Sequence, residues 1–276
     1  MGDIMPEFAS KYETLLLRRE RSRLYVTLNR PQVKNALNPT LIGELRTVFQ
    51  NLRDRRDVKV VILRGAGGTF CAGADLKNME QSLGPLPRPG ETDLIALNNR
   101  EFGTFLEMVN TTPQVVVAAV EGYAIAGGFG ILCVSDVAIC TETAGFAMSE
   151  TAIGIVPAQI APFVAARIGV PQTRHLALTA SRFRGPEALR LGIAHYLVKD
   201  AAELDAKLEE VLKQIDKCAP IANALTKQVV MKVASEPLAQ VLDFAAEKFA
   251  EARRGPEASE GLRAFAEKRP PKWATE

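Results

Sequence analysis

Apolar and polar positions alternate over the N-terminal part of the chain in a way that predicts two strands and a helix. Thr14–Arg18 and Leu24–Asn29 have the period of two that is typical of strands, and the charged segment Arg18–Arg23 predicts the turn between them. After Asn38-Pro39, a pair that favours helix initiation, Thr40–Arg53 carries its apolar residues at helical spacing. This part of the chain therefore predicts a hairpin followed by an amphipathic helix.

Two further segments combine a β-branched run with a turn of small residues. Val58–Leu63 is almost continuously apolar, as strands buried on both faces are, and a glycine-rich run follows it. The cycle repeats with a predicted helix at Leu94–Asn110, a strand at Val115–Glu121 and a small-residue turn from Gly122 to Gly130. Val137–Cys140 predicts another strand. The pattern predicts an α/β fold of repeated turns, with ligand sites where glycine-rich segments follow strands.

The last part of the chain has helical periodicity, interrupted by prolines or glycine. The predicted helices are Ala201–Cys218, Ile221–Ser235, Leu238–Arg254 and Ser259–Lys268. We predict a core over residues 1–200 and a C-terminal helical region over residues 201–276 that packs on the core or on a neighbouring subunit. Lys77–Glu91 is rich in proline and glycine and predicts a loop that is a candidate lid.

Composition narrows the class of protein. A chain of 276 residues that is 47% apolar can bury a large core, and its net charge of +2 gives no global preference for nucleic acid or an anionic membrane. The longest apolar runs are far shorter than the ~20 residues of a membrane-spanning helix, and we expect a cytoplasmic protein. The four cysteines, Cys71, Cys133, Cys140 and Cys218, have no CxxC spacing, and at least three lie in apolar surroundings that suit reduced core thiols.

Several short motifs, weak individually, are specific in their order and spacing. They include Asn29-Arg30-Pro31, Phe70–Leu76, Glu121–Ala124 with Gly127-Gly128, Phe146–Pro157, and the run from Glu260 to Trp273. In these motifs the chain resembles the enoyl-CoA hydratase/isomerase, or crotonase, superfamily over nearly its whole length. The resemblance implies a crotonase-like spiral of repeated ββα turns with a C-terminal helical trimerisation region. It also implies an acyl-CoA substrate and assembly as a homotrimer or a dimer of trimers.

Two of these motifs place small residues directly after a strand, where a backbone N–H is exposed without a bulky side chain. The resemblance assigns Ala72 and Gly127 as the two donors of an oxyanion hole for a thioester oxygen. The apolar stretch Phe129–Val134 predicts a buried helix that starts at the second donor. An ordinary turn is the alternative for Ala72. A dinucleotide site is disfavoured because no GxGxxG pattern opens either helix.

A third motif places Glu150 among small and apolar neighbours, where burial would raise its pKa as a proton shuttle requires. The resemblance assigns Glu150 as the second catalytic glutamate of the family. A surface or capping glutamate is the alternative, and Glu142, in a polar turn, has the weaker claim. The position that carries the first glutamate in two-glutamate hydratases is Gly130 in this chain.

The missing glutamate leaves two reactions open. The resemblance associates a single glutamate with Δ3-Δ2 enoyl-CoA isomerases, in which one base moves a proton from the α-carbon to the γ-carbon. Gly154–Pro162 and Leu178–Phe183 instead resemble methylglutaconyl-CoA hydratases of branched-chain and acyclic terpene degradation. We therefore expect an enoyl-CoA hydratase that acts on a 2-enoyl-CoA. A non-catalytic RNA-binding or scaffold role would need a basic stripe, for which the candidates are Arg18, Arg19, Arg21 and Arg23.

Coenzyme A would enter as part of the substrate, and neither a metal nor another cofactor is expected. The resemblance implies a binding set that consists of Lys34, Ala74, Asp75, Leu76 and Gly128, with Phe265 and Lys268 from an adjacent subunit. The acyl pocket is expected along Lys77–Phe105, where candidates for binding a substrate carboxylate are Lys77, Arg88 and Arg100. Asp136, His175 and His195 are interpreted as structural or solvated, and surface exposure is the alternative for both binding lysines.

Overall fold

The computed structural model describes residues 12–75 and 86–274. Within these ranges six strands form one sheet in the order β1-β2-β3-β4-β6-β9, and three short strands form a second sheet in the order β5-β7-β8. The strands are β1 Leu15–Glu20, β2 Arg23–Leu28, β3 Val60–Gly65, β4 Val115–Val120, β5 Tyr123–Ile125, β6 Val137–Thr141, β7 Gly145–Ala147, β8 Arg182–Arg184 and β9 Tyr196–Val198. The predicted α/β class is confirmed.

Helices lie between and after the strands of the described ranges. They are α1 Pro39–Leu52, α2 Leu94–Thr111, α3 Gly127–Cys133, α4 Ala161–Ile168, α5 Val170–Thr179, α6 Gly185–Arg190, α7 Ala201–Asp216, α8 Pro220–Lys232, α9 Leu238–Arg254 and α10 Pro256–Ala266. Helix α1 starts as the sequence predicts, because the Asn38 side chain accepts the N–H of Leu41 at 2.9 Å and Pro39 occupies the first turn.

The first two strands form an antiparallel hairpin, and the other neighbours in the large sheet pair in parallel. The predicted turn Arg18–Arg23 is wrong in extent, because the strands continue to Glu20 and restart at Arg23. The guanidinium of Arg18 lies 3.9 Å from the centroid of the Tyr25 ring, its cross-strand partner. Cross-strand pairing and this cation–π contact keep charged residues inside the ladder.

The central strands of the large sheet, β3, β4 and β6, are buried on both faces. In β3, Val61 and Leu63 face the main core, whereas Val60 and Ile62 face α7. The α7 side chains that cover this second face are Leu204, Leu208, Val211, Leu212 and Ile215. Parallel strands that are covered on both faces have continuous apolar sequences, which explains the β-branched runs in this chain. Helix α7 therefore packs on the core, and the domain boundary at residue 200 stays a prediction.

The C-terminal segment is attached at the end of the sheet where β3 begins. The Lys59 side chain donates to the carbonyl of Trp273, and the Trp273 indole N–H donates to the carbonyl of Lys217 at 3.1 Å. The Glu257 carboxylate caps α8 by accepting the N–H of Ile221 at 2.9 Å. Helix α10 thus lies beside the start of β3, a strand length of roughly 17 Å from the end where the strand leads to the glycine-rich segment.

Two polar residues near the interior, Asp136 and His195, have structural partners. The Asp136 carboxylate accepts the N–H of Val116 at 2.7 Å and pairs with Lys227 at 2.6 Å, while Nδ1 of His195 accepts the N–H of Ala138 at 3.0 Å. Three of the four cysteines are buried, and burial raises the pKa of each to about 12: Cys71, Cys133 and Cys140. The structural interpretation of Asp136, His195 and the core thiols is confirmed.

Candidate active site

The segment that follows β3 lies between two other chain segments. On one side the N–H of Ile125 donates to the carbonyl of Cys71 at 3.0 Å. On the other side the N–H of Leu37 donates to the carbonyl of Gly73 at 2.7 Å, and the N–H of Asp75 donates to the carbonyl of Leu37 at 2.9 Å. Residues 71–75 are therefore held as the central member of a short parallel arrangement.

The same hydrogen bonds determine which way Ala74 faces. Because the Gly73 carbonyl and the Asp75 N–H both point toward Leu37, the N–H of the intervening Ala74 points to the opposite side. That side carries the segment of Gly127. Cys71 pairs with Ala124 in parallel, so residue-by-residue counting places Ala74 level with Gly127.

Unusual backbone conformations precede both residues. Gly73 has a φ of 94° and Ala126 a φ of 51°, and the second is uncommon for a residue with a Cβ. A Cβ on Gly73 would lie 3.0 Å from the Cβ of Ala126, so the two turns are in contact. Neither Ala74 nor Gly127 donates its N–H to another group in residues 12–75 and 86–274. Each free donor therefore follows one of two residues that are in contact, Gly73 and Ala126.

The assignment of Ala72 as the first donor is wrong. Its N–H donates to the carbonyl of Lys34 at 3.0 Å and belongs to the backbone ladder. Three consecutive small residues follow Cys71, and the side chains alone do not distinguish their N–H groups. The structure leaves Ala74 as the free donor, and Ala74 is also the more exposed of the two alanines.

Two polar residues to which the sequence analysis gave no role, Asn35 and Arg30, support this segment. Asn35, fully buried at a φ of 56°, accepts the N–H of Arg30 at 2.8 Å and donates to the carbonyls of Ala66 at 2.9 Å and Thr69 at 2.6 Å. The Arg30 guanidinium pairs with the Asp75 carboxylate at 3.0 Å. The side chain of Asp75 therefore anchors the segment. A polar residue that is wholly buried must be hydrogen-bonded, but its partners are not visible in the sequence.

Glu150 follows the second sheet, which is hydrogen-bonded to the residue before Gly127. The carbonyl of Ala147, the last residue of β7, accepts the N–H of Ala126 at 2.9 Å, and Glu150 opens a 3₁₀ turn three residues later. Its side chain is buried, with 8% exposed, and Oε2 has no hydrogen-bond partner within residues 12–75 and 86–274. Burial raises the pKa of Glu150 above its ordinary value, against the opposing backbone hydrogen bonds at Glu150 and Ser149. Glu142 is exposed, in keeping with its weaker claim.

The position of the missing glutamate is closed by apolar side chains. A Cβ on Gly130 would lie 2.4 Å from Cγ2 of Ile160 and 3.5 Å from Cδ1 of Leu106. Gly130 is buried, and Ile160 is 2% exposed. A carboxylate at this position would displace Ile160, so the side of the site near Gly130 is an apolar wall.

The glycines that begin α3 permit close packing around the second donor. A Cβ on Gly127 would lie 2.7 Å from Cδ1 of Leu37 and 3.2 Å from Cζ of Phe102. A Cβ on Gly128 would lie 2.7 Å from the Cβ of Cys71. The side chains of Leu37 and Phe102 therefore border Gly127, and Gly128 has a packing role.

The structure brings only part of the predicted coenzyme A set together. Lys34, at a φ of 53°, holds its ammonium 5.5 Å from the centroid of the Tyr123 ring, beside the segment of Ala74. Phe265, 86% exposed, and Lys268 lie on or after α10, away from this region. Arg88 is exposed, and Arg100 pairs with Glu107 at 3.1 Å. The predictions for Leu76 and Lys77 fall outside the described residues.

Carboxylates neutralise most of the basic cluster of the first hairpin. The ion pairs are Arg18 with Glu20, Arg19 with Asp57 at 2.7 Å, and Arg23 with Glu209 at 3.0 Å and with Asp216 at 2.6 Å. Paired arginines are a poor phosphate-binding stripe. Among the described residues no helix is long and apolar enough to cross a membrane, and no three His, Cys, Asp or Glu side chains are grouped as a metal site would need.

Comparison with known proteins defines the class of this fold and site. The family model described as enoyl-CoA hydratase/isomerase matches residues 18–276, and the chain belongs to that family. The chain is 32% identical to carnitinyl-CoA dehydratase of Escherichia coli strain K12, with 95% of this chain and 98% of that protein covered. It is 30% identical to short-chain-enoyl-CoA hydratase of Clostridium acetobutylicum, with 92% and 95% covered.

Solved structures agree with this classification. Pseudomonas aeruginosa AtuE superposes with a TM-score of 0.90 at 50% identity, over 95% of this chain and 100% of that chain. An enoyl-CoA hydratase/isomerase from Marinobacter aquaeolei superposes with a TM-score of 0.91 at 45% identity, over 95% and 99%. The predicted crotonase-like fold with C-terminal helices is confirmed.

Proposed function

We propose that this protein is an enoyl-CoA hydratase that adds water to the double bond of a 2-enoyl-CoA thioester. The observation that carries the proposal is the pair of free N–H groups at Ala74 and Gly127, level with each other in adjacent segments. Two convergent donors suit an oxygen that gains negative charge during a reaction. Membership of the enoyl-CoA hydratase/isomerase family supports a thioester as the source of that oxygen.

The two donors stabilise the intermediate of the addition. When water attacks the β-carbon, the π electrons of the double bond move toward the thioester carbonyl and form an enolate. Hydrogen bonds from Ala74 and Gly127 are stronger to the enolate oxygen than to the neutral carbonyl, which lowers the barrier. In comparable enzymes the loss of one such donor costs about 3–4 kcal/mol.

Glu150 transfers the protons. Its protonated carboxyl group gives a proton to the α-carbon, and its other oxygen takes one from the attacking water, so that the carboxyl group is regenerated. The raised pKa favours the protonated form from which this exchange starts. The apolar contact between Gly130 and Ile160 leaves no room for a second carboxylate, which explains why one glutamate serves both ends of the addition.

The substrate class is proposed from the relatives and from the sequence. The two curated relatives are named for hydration and dehydration of coenzyme A esters. The resemblance of Gly154–Pro162 to methylglutaconyl-CoA hydratases supports a branched glutaconyl-type ester. The proposed chemistry uses no metal, and coenzyme A is part of the substrate.

A second copy of the chain completes the coenzyme A site in this proposal. Phe265 and Lys268 lie far from the candidate active site of their own chain, so they would reach the nucleotide only in a neighbouring subunit. Helices α8–α10 expose large apolar side chains that a homotrimer or a dimer of trimers would cover: Val230, Leu238, Leu242, Phe249, Leu262 and Phe265. Sedimentation analysis of the purified protein tests this, and a monomer with full activity would contradict it.

Two substrates separate hydration from isomerisation. Purified protein is mixed with a 2-enoyl-CoA and, separately, with a 3-enoyl-CoA, and the absorbance of the conjugated thioester is followed. Hydration removes this absorbance from the first mixture, and mass spectrometry finds a product heavier by one water. Isomerisation increases the absorbance of the second mixture and leaves the first unchanged, which would overturn the proposal. A panel of acyl groups that includes methylglutaconyl-CoA then tests the substrate class.

The Δ3-Δ2 isomerase is the second candidate, and the absence of a carboxylate at Gly130 favours it. A single buried base is sufficient to move a proton from the α-carbon to the γ-carbon over the same enolate. A non-catalytic RNA-binding role has weaker support because ion pairs occupy Arg18, Arg19 and Arg23. Salt-dependent retention on RNA tests that role.

A further inference from the structure

One face of helix α2 lies along the candidate active site. Asn99, Phe102, Gly103 and Leu106 follow the spacing i, i+3, i+4, i+7 and therefore share this face. Phe102 borders Gly127, and Leu106 lies against the position of a Gly130 side chain. The helix thus extends from the second donor to the apolar wall. Asn99 and Gly103 lie on the same face of the helix as these contacts.

The remaining two residues of the face hold the side chain of Gln159. Its Nε2 donates to Oδ1 of Asn99 at 2.9 Å. Its Oε1 lies 1.9 Å, and its Cδ 2.8 Å, from the point that a Cβ on Gly103 would occupy. Gly103 is buried, so the carboxamide rests in a notch that any larger residue would fill. Asn99 determines the orientation of the amide by accepting its N–H.

This arrangement leaves one acceptor of Gln159 unused, about one helical turn along α2 from the apolar wall. Oε1 of Gln159 accepts no hydrogen bond from the described residues. The next residue in the chain, Ile160, covers Gly130. Gln159 and Ile160 are consecutive residues. The Gln159 carboxamide contacts α2 at Asn99 and Gly103, about one helical turn from Leu106, which borders the Gly130 position where a second carboxylate is missing.

We infer that the Gln159 carboxamide oxygen accepts a hydrogen bond from the attacking water and holds it toward the β-carbon of the substrate. The inference rests on the proposed hydration. The water oxygen bonds to the β-carbon and loses one proton to Glu150, and its other hydrogen stays bonded to oxygen as the product hydroxyl, directed at Gln159. The amide exchanges no proton. Asn99 and Gly103 are positioning residues, because they act through Gln159.

The test separates water addition from enolate formation. Hydration of a 2-enoyl-CoA needs the positioned water, whereas exchange of the α-hydrogens of butyryl-CoA in D₂O needs only Glu150 and the two N–H donors. Gln159→Leu is expected to lower kcat/KM for hydration about 100-fold, the order of loss for a misplaced reactant, and to change the exchange rate less than about threefold. Gln159→Glu keeps an acceptor and is expected to retain hydration. Asn98→Ala, an exposed change on the same helix, is the control.

Gly103→Ala tests the notch independently, since the added methyl group meets the carboxamide. It is expected to lower hydration with exchange preserved. Parallel loss of both rates in Gln159→Leu, or loss of neither, would overturn the inference. A wild-type protein that exchanges α-hydrogens but hydrates no 2-enoyl-CoA would instead remove the proposed function, so the two failures are distinguishable.

Discussion

Ala74 lies level with Gly127 across two parallel chain segments, and both present an N–H group that the described residues leave unpartnered. Each follows a residue with positive φ, so a local distortion turns each donor out of the ladder. The two turns touch through Gly73 and Ala126. Their separation therefore depends on main-chain pairing and not on mobile side chains, which suits preorganised stabilisation of charge.

Proline substitutions distinguish the free donor from the bonded one. Ala74→Pro removes an N–H that the fold does not use and is expected to lower kcat about 100- to 1,000-fold with little change in Tm. Ala72→Pro removes the hydrogen bond to Lys34 and is expected to lower Tm. Steady-state kinetics and thermal unfolding of both variants measure this. The reverse pattern would restore Ala72 as the donor.

Replacement of the buried carboxylate separates catalysis from binding. Glu150→Gln is expected to lower kcat about 100- to 10,000-fold, because an amide transfers no proton, and to leave the Kd for a coenzyme A ester nearly unchanged. The amide also avoids the cost of burying a charge, so Tm at pH 8 should rise. Steady-state kinetics measures kcat, isothermal titration measures the Kd, and differential scanning calorimetry measures Tm. Full activity of the variant would remove Glu150 from the mechanism.

The raised pKa of Glu150 determines the sign of the pH dependence. The protonated carboxyl group donates to the α-carbon, so kcat for hydration should fall as pH rises through the pKa of Glu150. The exchange of α-hydrogens starts from the carboxylate and should rise over the same range. The free energy of unfolding should also fall as pH rises toward this pKa, because burial of the ionised carboxylate is unfavourable. A profile unchanged by Glu142→Gln serves as the control, since that side chain is exposed.

Packing against Gly130 is testable with a double-mutant cycle. Gly130→Ala brings a methyl group to 2.4 Å from Ile160 and should cost about 1–3 kcal/mol of unfolding free energy. Ile160→Ala should cost about 2–5 kcal/mol through the cavity it leaves. The double variant should lose less than the sum, because the second change makes room for the first. Denaturant unfolding measures all three, and strict additivity would show that the two positions do not share this space.

The first hairpin, strands β3, β4 and β6, helices α1–α3 and α7–α10, and the apolar surroundings of Glu150 could be predicted from the sequence, because side-chain periodicity and composition carry that information. The short strands β5, β7, β8 and β9 and helices α4–α6 could not. The resemblance to the enoyl-CoA hydratase/isomerase family placed the missing glutamate at Gly130. The extent of the first hairpin could not be predicted, since Arg18 stays in its strand through stacking on Tyr25. A contact across strands has no signature in the local pattern.

The oxyanion donor shows the same division. By itself the sequence determined that a run of small residues, Ala72 to Ala74, follows a buried strand and opens the backbone to a ligand. Only the tertiary structure decided which N–H is free, because Lys34 and Leu37, distant in sequence, engage alternate groups of that run. The contact of the Gln159 carboxamide with Gly103 was likewise decided by the tertiary structure. Hydrogen bonds between segments depend on register, and register is a property of the folded chain.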